Sequence, residues 1–418
     1  MSALSNPDPT NANATDATIR QLDTLPEPPV LDEDPFSDEN LANPYPLFER
    51  MREAPVVFIK PHGYYAVGRY AESGIVASDY ARFTVEGGVG LSDIRKPGAW
   101  RTRSPISEVD PPEHTGVRAA LQKVLSPLVV KQWREKFQER AEEVAERAVA
   151  KGEVDGVSDV VEAFVLSVFP EVFGVDIPPE RMTITGELNF NQLGPNNARL
   201  ERAAARAEPV MAWYADILLR KHMKPGGFGE AIYLAEDRGE FAPGTAPLHV
   251  RSFFRAGVDT TIGGIGATLN LLARHPEQFA RVKADPALIK GAFEEALRLE
   301  SPAQVMFRTT TADVELGGYR LEAGTKVGYH MGAANRDPRQ WTDPDTFDVT
   351  RKTAGVHRAF GHGSHVCIGQ MISRLEAECI LGALIRRVSA IEPAGPARPR
   401  LVNALRTLDT LPLRLVRA

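Results

Sequence analysis

One cysteine, Cys367, stands near the end of the run Phe360-Gly361-His362-Gly363-Ser364-His365-Val366-Cys367-Ile368-Gly369. A helical pattern follows from Ile368 into the 380s. A thiolate at that point would meet the free N–H groups of a helix N-terminus, which favour negative charge and lower a thiol's pKa. Gly361, Gly363 and Gly369 let the backbone approach a flat ligand and donate N–H bonds to the sulfur. A thiolate axial ligand to a haem iron requires this construction. A lone cysteine is more often a small buried side chain beside a turn. The remaining chemistry of the chain decides between the two.

Glu295-Ala296-Leu297-Arg298 places an acid and a base on one helix face. Such a pair is commonly a solvated surface contact, but Asn335-Arg336-Asp337-Pro338 supplies a second arginine downstream. Asp110-Pro111-Pro112-Glu113-His114 opens a helix with Pro in its first turn, and His114 and Arg118 share a side of it. Arg308 and His365 are two further candidate cations. In Ala256-Gly257-Val258-Asp259-Thr260-Thr261, Gly257 weakens a long helix, and a Thr260 hydroxyl can bond back to the Ala256 carbonyl. That combination opens a bulge able to hold water. Upstream, Arg251, Arg255 and Asp259 fall on one stripe, with Ser252, Ala256 and Thr260 on the next. Ser252 lies two turns from Thr260, about 12 Å by helix rise. An Arg–Ser head site at that distance suits a small carboxylate. Arg255 is read equally as the i, i+4 partner of Asp259, and Arg251 as a solvent-facing cation.

The cysteine run fills every fixed position of Phe-Gly-x-Gly-x-His-x-Cys-x-Gly and resembles the haem-binding loop of the cytochrome P450 superfamily. With the motifs above in the expected order, the resemblance runs from about residue 40 onward. It implies a mainly α fold with a small β subdomain, haem b as cofactor, and a soluble bacterial haem-thiolate monooxygenase fed by O₂. It implies Cys367 as axial ligand, Phe360 and Gly361 against the cofactor, and His114, Arg118, Arg308 and His365 on its propionates. Glu295, Arg298 and Arg336 correspond to a structural Glu-x-x-Arg plus Arg triad, and Asp259 with Thr260 to an acid–alcohol pair for proton delivery. Electrons are expected from a [2Fe-2S] or similar ferredoxin and a flavin-dependent reductase, docking near Arg358, His362 and Arg374.

Gly87-Gly88-Val89-Gly90-Leu91-Ser92-Asp93 and Phe190-Asn191-Gln192-Leu193-Gly194-Pro195 resemble a bacterial subgroup that removes methyl groups from para-methoxybenzoic acids. That resemblance assigns Leu91, Ser92, Arg251 and Ser252 to the acid end. Phe190, Leu193, Ala256, Val305 and Met306 line the pocket, and Arg255 adds a cation. Leu193 and Met306 replace aromatic rings of the subgroup and Arg255 a small polar residue, which points to a softer pocket. The alternatives are hydroxylation of a terpenoid, fatty acid or natural product, and a haem sensor without oxidation chemistry.

The chain has 418 residues and 43% apolar content, enough for one large core. Residues 1–30 are expected to form a disordered acidic tail and residues 31–418 one domain. Residues 1–40 carry nine acids and one base; the rest of the chain carries a net +2, so acidity argues nothing about nucleic acid. Two cysteines, Cys367 and Cys379, exclude a disulfide framework. The N-terminus holds no apolar run long enough for a signal peptide or membrane anchor, and a soluble, cytoplasmic protein is expected; a monomer is expected as well. A short helix is predicted at 44–53, a hairpin at 56–67 and a long functional loop at 82–110. Helices are predicted from Pro111 to the 220s with breaks, over 246–274 and 285–300, and after Cys367. Strands are predicted over 313–330 and 393–415.

Overall fold

The structure, a computed structural model, describes residues 22–418; residues 1–21, most of the expected tail, lie outside the described residues. Residues 22–30 are tied down rather than loose. Phe58 N–H donates to the Pro29 carbonyl at 2.8 Å, and Arg320 Nη1 reaches Asp23 at 2.9 Å.

Helices build the body and sheets flank it. The helices Arg134–Lys151 and Gln370–Arg387 pack along each other, burying Phe137, Ala141 and Val144 against Ile380, Leu381 and Leu384. Beside them runs Asp259–Arg274, in which Ile262, Ile265, Leu269 and Leu272 recur at helical spacing and are all buried. The expected helix over 246–274 divides into Ala246–Ala256 and Asp259–Arg274. Gly257 sits at the division because the Phe169 ring packs where a Cβ would project. Cys379 is buried in the core and unpaired, like Cys367.

The six-stranded sheet runs Val30–Leu31, Val57–Ile59, Tyr64–Val67, Lys326–His330, Val305–Thr310, Phe83–Thr84. The predicted hairpin forms, turning through Lys60–His62 and Gly63 at φ 62°. Val305–Thr310 is a strand that the sequence reading did not separate from its surroundings. Its alternation decides which side chains reach the interior. Met306 and Arg308 border the main cavity, whereas Val305 and Phe307 point away from it and pack with Tyr64 and Phe48. Val305 is therefore a packing residue, and its expected place in the pocket is corrected. Glu153–Asp155 is a further unforeseen strand, pairing with Pro412–Arg417.

The acid–base pair on Leu288–Glu300 is fully buried. Arg298 bonds Glu295 through Nε at 2.7 Å and Nη2 at 2.9 Å, and donates to the carbonyls of Asn335, Pro344 and Thr346. The second arginine on Glu295 is Arg351, at 2.8 Å, not Arg336. Arg336 instead pairs with Asp345 at 2.6 Å and Glu300 at 3.6 Å, over the Tyr45 ring. The third member of the triad is corrected accordingly. Arg351 reaches Glu295 because the segment from Thr342 to Thr350 folds back under the helix, held by Arg298 and by Asp348 N–H on Glu295. Among the described residues no helix is long and apolar enough to cross a membrane.

Candidate functional site

A cavity of about 310 Å³ lies between the cysteine loop and the broken helix, and extends from Cys367 to Ser252. The loop that carries Cys367 is pinned by its own backbone. Cys367 N–H donates to Phe360 O at 2.8 Å, and Gly361 N–H to Arg358 O at 2.7 Å with Gly361 at φ 75°. The sulfur accepts from the backbone N–H groups of Gly369 and Gln370, as the helix-terminus reading anticipates. Burial nevertheless raises the thiol above its ordinary value, and these donors, Arg118 and Arg374 only partly offset it. A thiolate here needs a cation of its own, which a metal centre provides.

Four nitrogen-bearing side chains converge beside the loop. The rings of His114 and His365 stand 4.1 Å apart. Arg118 and Arg308 border the same cavity. His114 Nε2, His365 Nε2 and Arg118 Nε are buried without a hydrogen-bond partner. Burial, Arg118 and Arg308 hold His114 down at about 4. Among the described residues no carboxylate forms an ion pair with a member of this cluster, so it is built for anions from outside the chain. An apolar cavity floored by Phe360 and Ile368, a thiol facing it and unpartnered cations at one edge fit a haem with two propionates.

Over the sulfur, Thr260 and Thr261 border the cavity, and the Thr260 hydroxyl donates to Ala256 O at 2.8 Å. Asp259 does not border it. The helix break turns its carboxylate toward Gly186, where a Cβ would collide with it, and toward Arg400. Arg255 makes no ion pair with Asp259, so the i, i+4 alternative fails. Burial pushes Asp259 up to about 7 despite Arg400. Glu376, on the helix after Cys367, also borders the cavity; burial raises it to about 8, and the nearby Thr261 hydroxyl offsets this only in part.

The folded Asp259 thus binds its proton between its ordinary value of 3.8 and about 7. The native state holds more protons than the unfolded chain in that window, so stability falls as pH rises through it. Asp259→Asn is expected to melt above the parent at about pH 8 and together with it at about pH 4, by calorimetry. A gap of equal size at both would contradict the burial account.

At the far end, Ser252 Oγ lies 3.0 Å from Ser104 Oγ and donates to Leu248 O at 2.9 Å. Arg101 borders the cavity beside them, buried, with Glu108 at 3.1 Å and with Nε and Nη1 free of partners. Arg255, Ala256, Phe190, Leu193 and Met306 border the cavity as expected. Arg251, Leu91 and Ser92 do not. Arg251 donates to Arg103 O at 2.9 Å, and Leu91 N–H bonds Leu193 O at 2.9 Å, which places Leu91 in the apolar cluster behind the cavity wall. Ser92 is buried in a turn that Lys326 Nζ fixes through Gly87 O and Gly88 O. The polar far end of the cavity is lined instead by Arg101 and Ser104 with Ser252, and the sequence reading missed the first two. Arg101-Thr102-Arg103-Ser104 with Glu108, inside a loop already marked as functional, was the available signal.

A family model described as Cytochrome P450 matches residues 228–404. The chain is 47% identical over 393 residues to cytochrome P450 CYP199A2 of Rhodopseudomonas palustris, covering 93% of this chain and 95% of that protein. It is 30% identical to cytochrome P450 107B1 of Saccharopolyspora erythraea, covering 91% and 96%. The solved structure of cytochrome P450 CYP109Q5 from Chondromyces apiculatus superposes with a TM-score of 0.78 at 31% identity, covering 93% of this chain and 99% of that one.

Proposed function

The chain belongs to the cytochrome P450 family of haem-thiolate monooxygenases, and on that premise we propose that it oxidises a small aromatic carboxylic acid gripped by its carboxylate. The reaction proposed is O-demethylation of a para-methoxybenzoate: the methyl C–H is hydroxylated, and the resulting hemiacetal breaks to formaldehyde and a phenol. The observation that carries this reading is the head site, where the partner-free Nε and Nη1 of buried Arg101 stand beside the paired hydroxyls of Ser104 and Ser252. Buried donors without acceptors are costly, and a carboxylate satisfies them.

Bound haem would supply O₂ activation, with the second oxygen atom leaving as water after two electrons and two protons arrive. Cys367 would hold it, with His114, Arg118, Arg308 and His365 on its propionates. Phe190, Leu193 and Met306 would hold the ring between head site and sulfur and keep water off it. Thr260 presents a hydroxyl to the cavity, and Asp259, neutral or charged near pH 7, can take up and release protons behind it. Electrons are proposed to come from a ferredoxin and a flavin-dependent reductase, in a cytoplasmic setting. Of the three docking residues, His362 is exposed, Arg358 is half-buried over Tyr70 and Arg374 is already paired with Glu294. The docking charge therefore rests less on Arg374 than the sequence reading expected.

The test is turnover of 4-methoxybenzoate with a surrogate redox pair, following formaldehyde and 4-hydroxybenzoate. Both should form in equal amounts; their absence from a protein with a thiolate carbonyl spectrum would favour an apolar substrate. Thr260→Ala is expected to keep consuming reductant while product per electron pair falls, in the range of a tenfold loss or more. Unchanged coupling would leave the hydroxyl without a role.

A further inference from the structure

The acid end holds more positive charge than one carboxylate balances. Arg101, Arg251 and Arg255 converge there: burial disfavours the Arg101 charge, and Arg255 and Arg251 repel it. Burial and Arg255 act on Arg251 in the same sense. Glu108, 3.1 Å from Arg101, is the acid that faces them. Tyr214 stands beside Arg251 and Arg255 with its hydroxyl buried, and burial keeps it neutral. Asp259, one turn after Arg255, is turned away toward Gly186 and Arg400. Among the described residues no carboxylate forms an ion pair with Arg251 or Arg255.

Arg255 is placed differently from the other two. Arg251 is engaged by the Arg103 carbonyl and lies off the cavity, whereas Arg255 borders it. Its backbone carbonyl is fixed by Asn189 Nδ2 at 3.1 Å, which anchors the turn that carries it. Arg255 is three residues beyond Ser252 toward Thr260, roughly 4.5 Å along the helix axis. A benzoate seated on Ser104, Ser252 and Arg101 would put its meta carbon at about that height, where the guanidinium meets the neutral Tyr214 hydroxyl and no carboxylate. A cation left unpaired in a largely apolar cavity is unfavourable, and a second anion relieves it.

We propose that Arg255 reads a second anionic group on the substrate ring, meta to the first carboxylate, so that the substrate class is an aromatic dicarboxylic acid carrying its ether para to the seated group. This rests on the aromatic-acid reading of the same site. Two carboxylates would balance the excess of three guanidiniums over one Glu108, where a single carboxylate leaves one positive charge over.

The test compares 4-methoxyisophthalate with 4-methoxybenzoate on the haem-loaded protein, by calorimetric titration and by the Soret shift. The diacid is expected to bind the parent about tenfold tighter or more, the scale of one charge-assisted hydrogen bond. Arg255→Ser should erase that ratio and Arg255→Lys should keep part of it. A parent that binds the monoacid as well as the diacid, or a ratio that survives in Arg255→Ser, overturns the proposal and leaves the aromatic-acid reading standing. If neither acid binds, both fall together.

Discussion

Glu295→Ala is expected to cost about 3–5 kcal/mol of stability, because it strands a fully buried guanidinium without its counter-charge. Arg298 and Glu295 are both 0% exposed at the side chain, so water cannot take over. Arg298 would keep its three carbonyl acceptors, Asn335, Pro344 and Thr346, and those bonds do not neutralise it. Against a typical total of about 5–15 kcal/mol, a loss of this size is a large share. The segment most affected would be 335–351, which hangs from this network and leads directly into the cysteine loop through Asn335 Oδ1 on Arg358 N–H at 2.6 Å. Haem retention should therefore fall with stability. Urea unfolding and haem content per chain measure the two. Arg336→Ala is expected to cost less, since its short partner, Asp345, is 65% exposed. A Glu295→Ala protein that unfolds at the parental urea concentration would contradict the network as described.

Ser252→Asp is expected to weaken 4-methoxybenzoate binding by roughly a hundredfold or more. The new carboxylate would take the place where the substrate's own is proposed to sit, and a like-charge contact of this kind costs several kcal/mol, each ~1.4 being tenfold. It would also pair with Arg101 and so remove the donors left free by Glu108. An apolar substrate would not feel the change to that degree, which separates the two readings. Calorimetric titration of the acid decides it: parental affinity in Ser252→Asp would sink the head-site assignment.

Chemistry written as a contiguous run was legible in the chain. The Cys367 loop, the His114–Arg118 helix face and the Gly257–Thr260 break could be read because each is a local constellation on one element. The weak point of the long helix at Gly257 and the Thr260 hydroxyl on Ala256 O followed from residue type alone, whereas the full division into two helices, expected as one helix with a bulge, did not. Contacts set by the path of irregular chain were not legible. Arg351 and Arg336 stand in the same stretch after Leu288–Glu300, and only the fold-back of residues 342–350 decides which one meets Glu295. The acid end shows the same limit. Ser92 and Ser104 both belong to the loop at 82–110, and Lys326, 239 and 238 residues from the Gly87 and Gly88 carbonyls it binds, closes the turn that keeps Ser92 off the cavity. Val305 was misplaced for a different reason: a strand's period of two puts it opposite Met306, and the strand itself had not been recognised. The thiol pKa illustrates a balance of magnitudes, with burial outweighing the helix-terminus donors that the sequence made visible.

The proposed grip holds a carboxylate at Arg101, Ser104 and Ser252 with the ring directed toward Cys367. Its most direct test is to titrate the ferric haem-loaded protein with 4-methoxybenzoate and with its methyl ester, following the Soret band. The acid is expected to drive a low-to-high-spin shift at a concentration about tenfold or more below that needed by the ester, which has the same ring and ether but no charge. Equal shifts with the two, or a shift with the ester alone, would contradict the carboxylate grip and leave an apolar pocket as the account of this cavity.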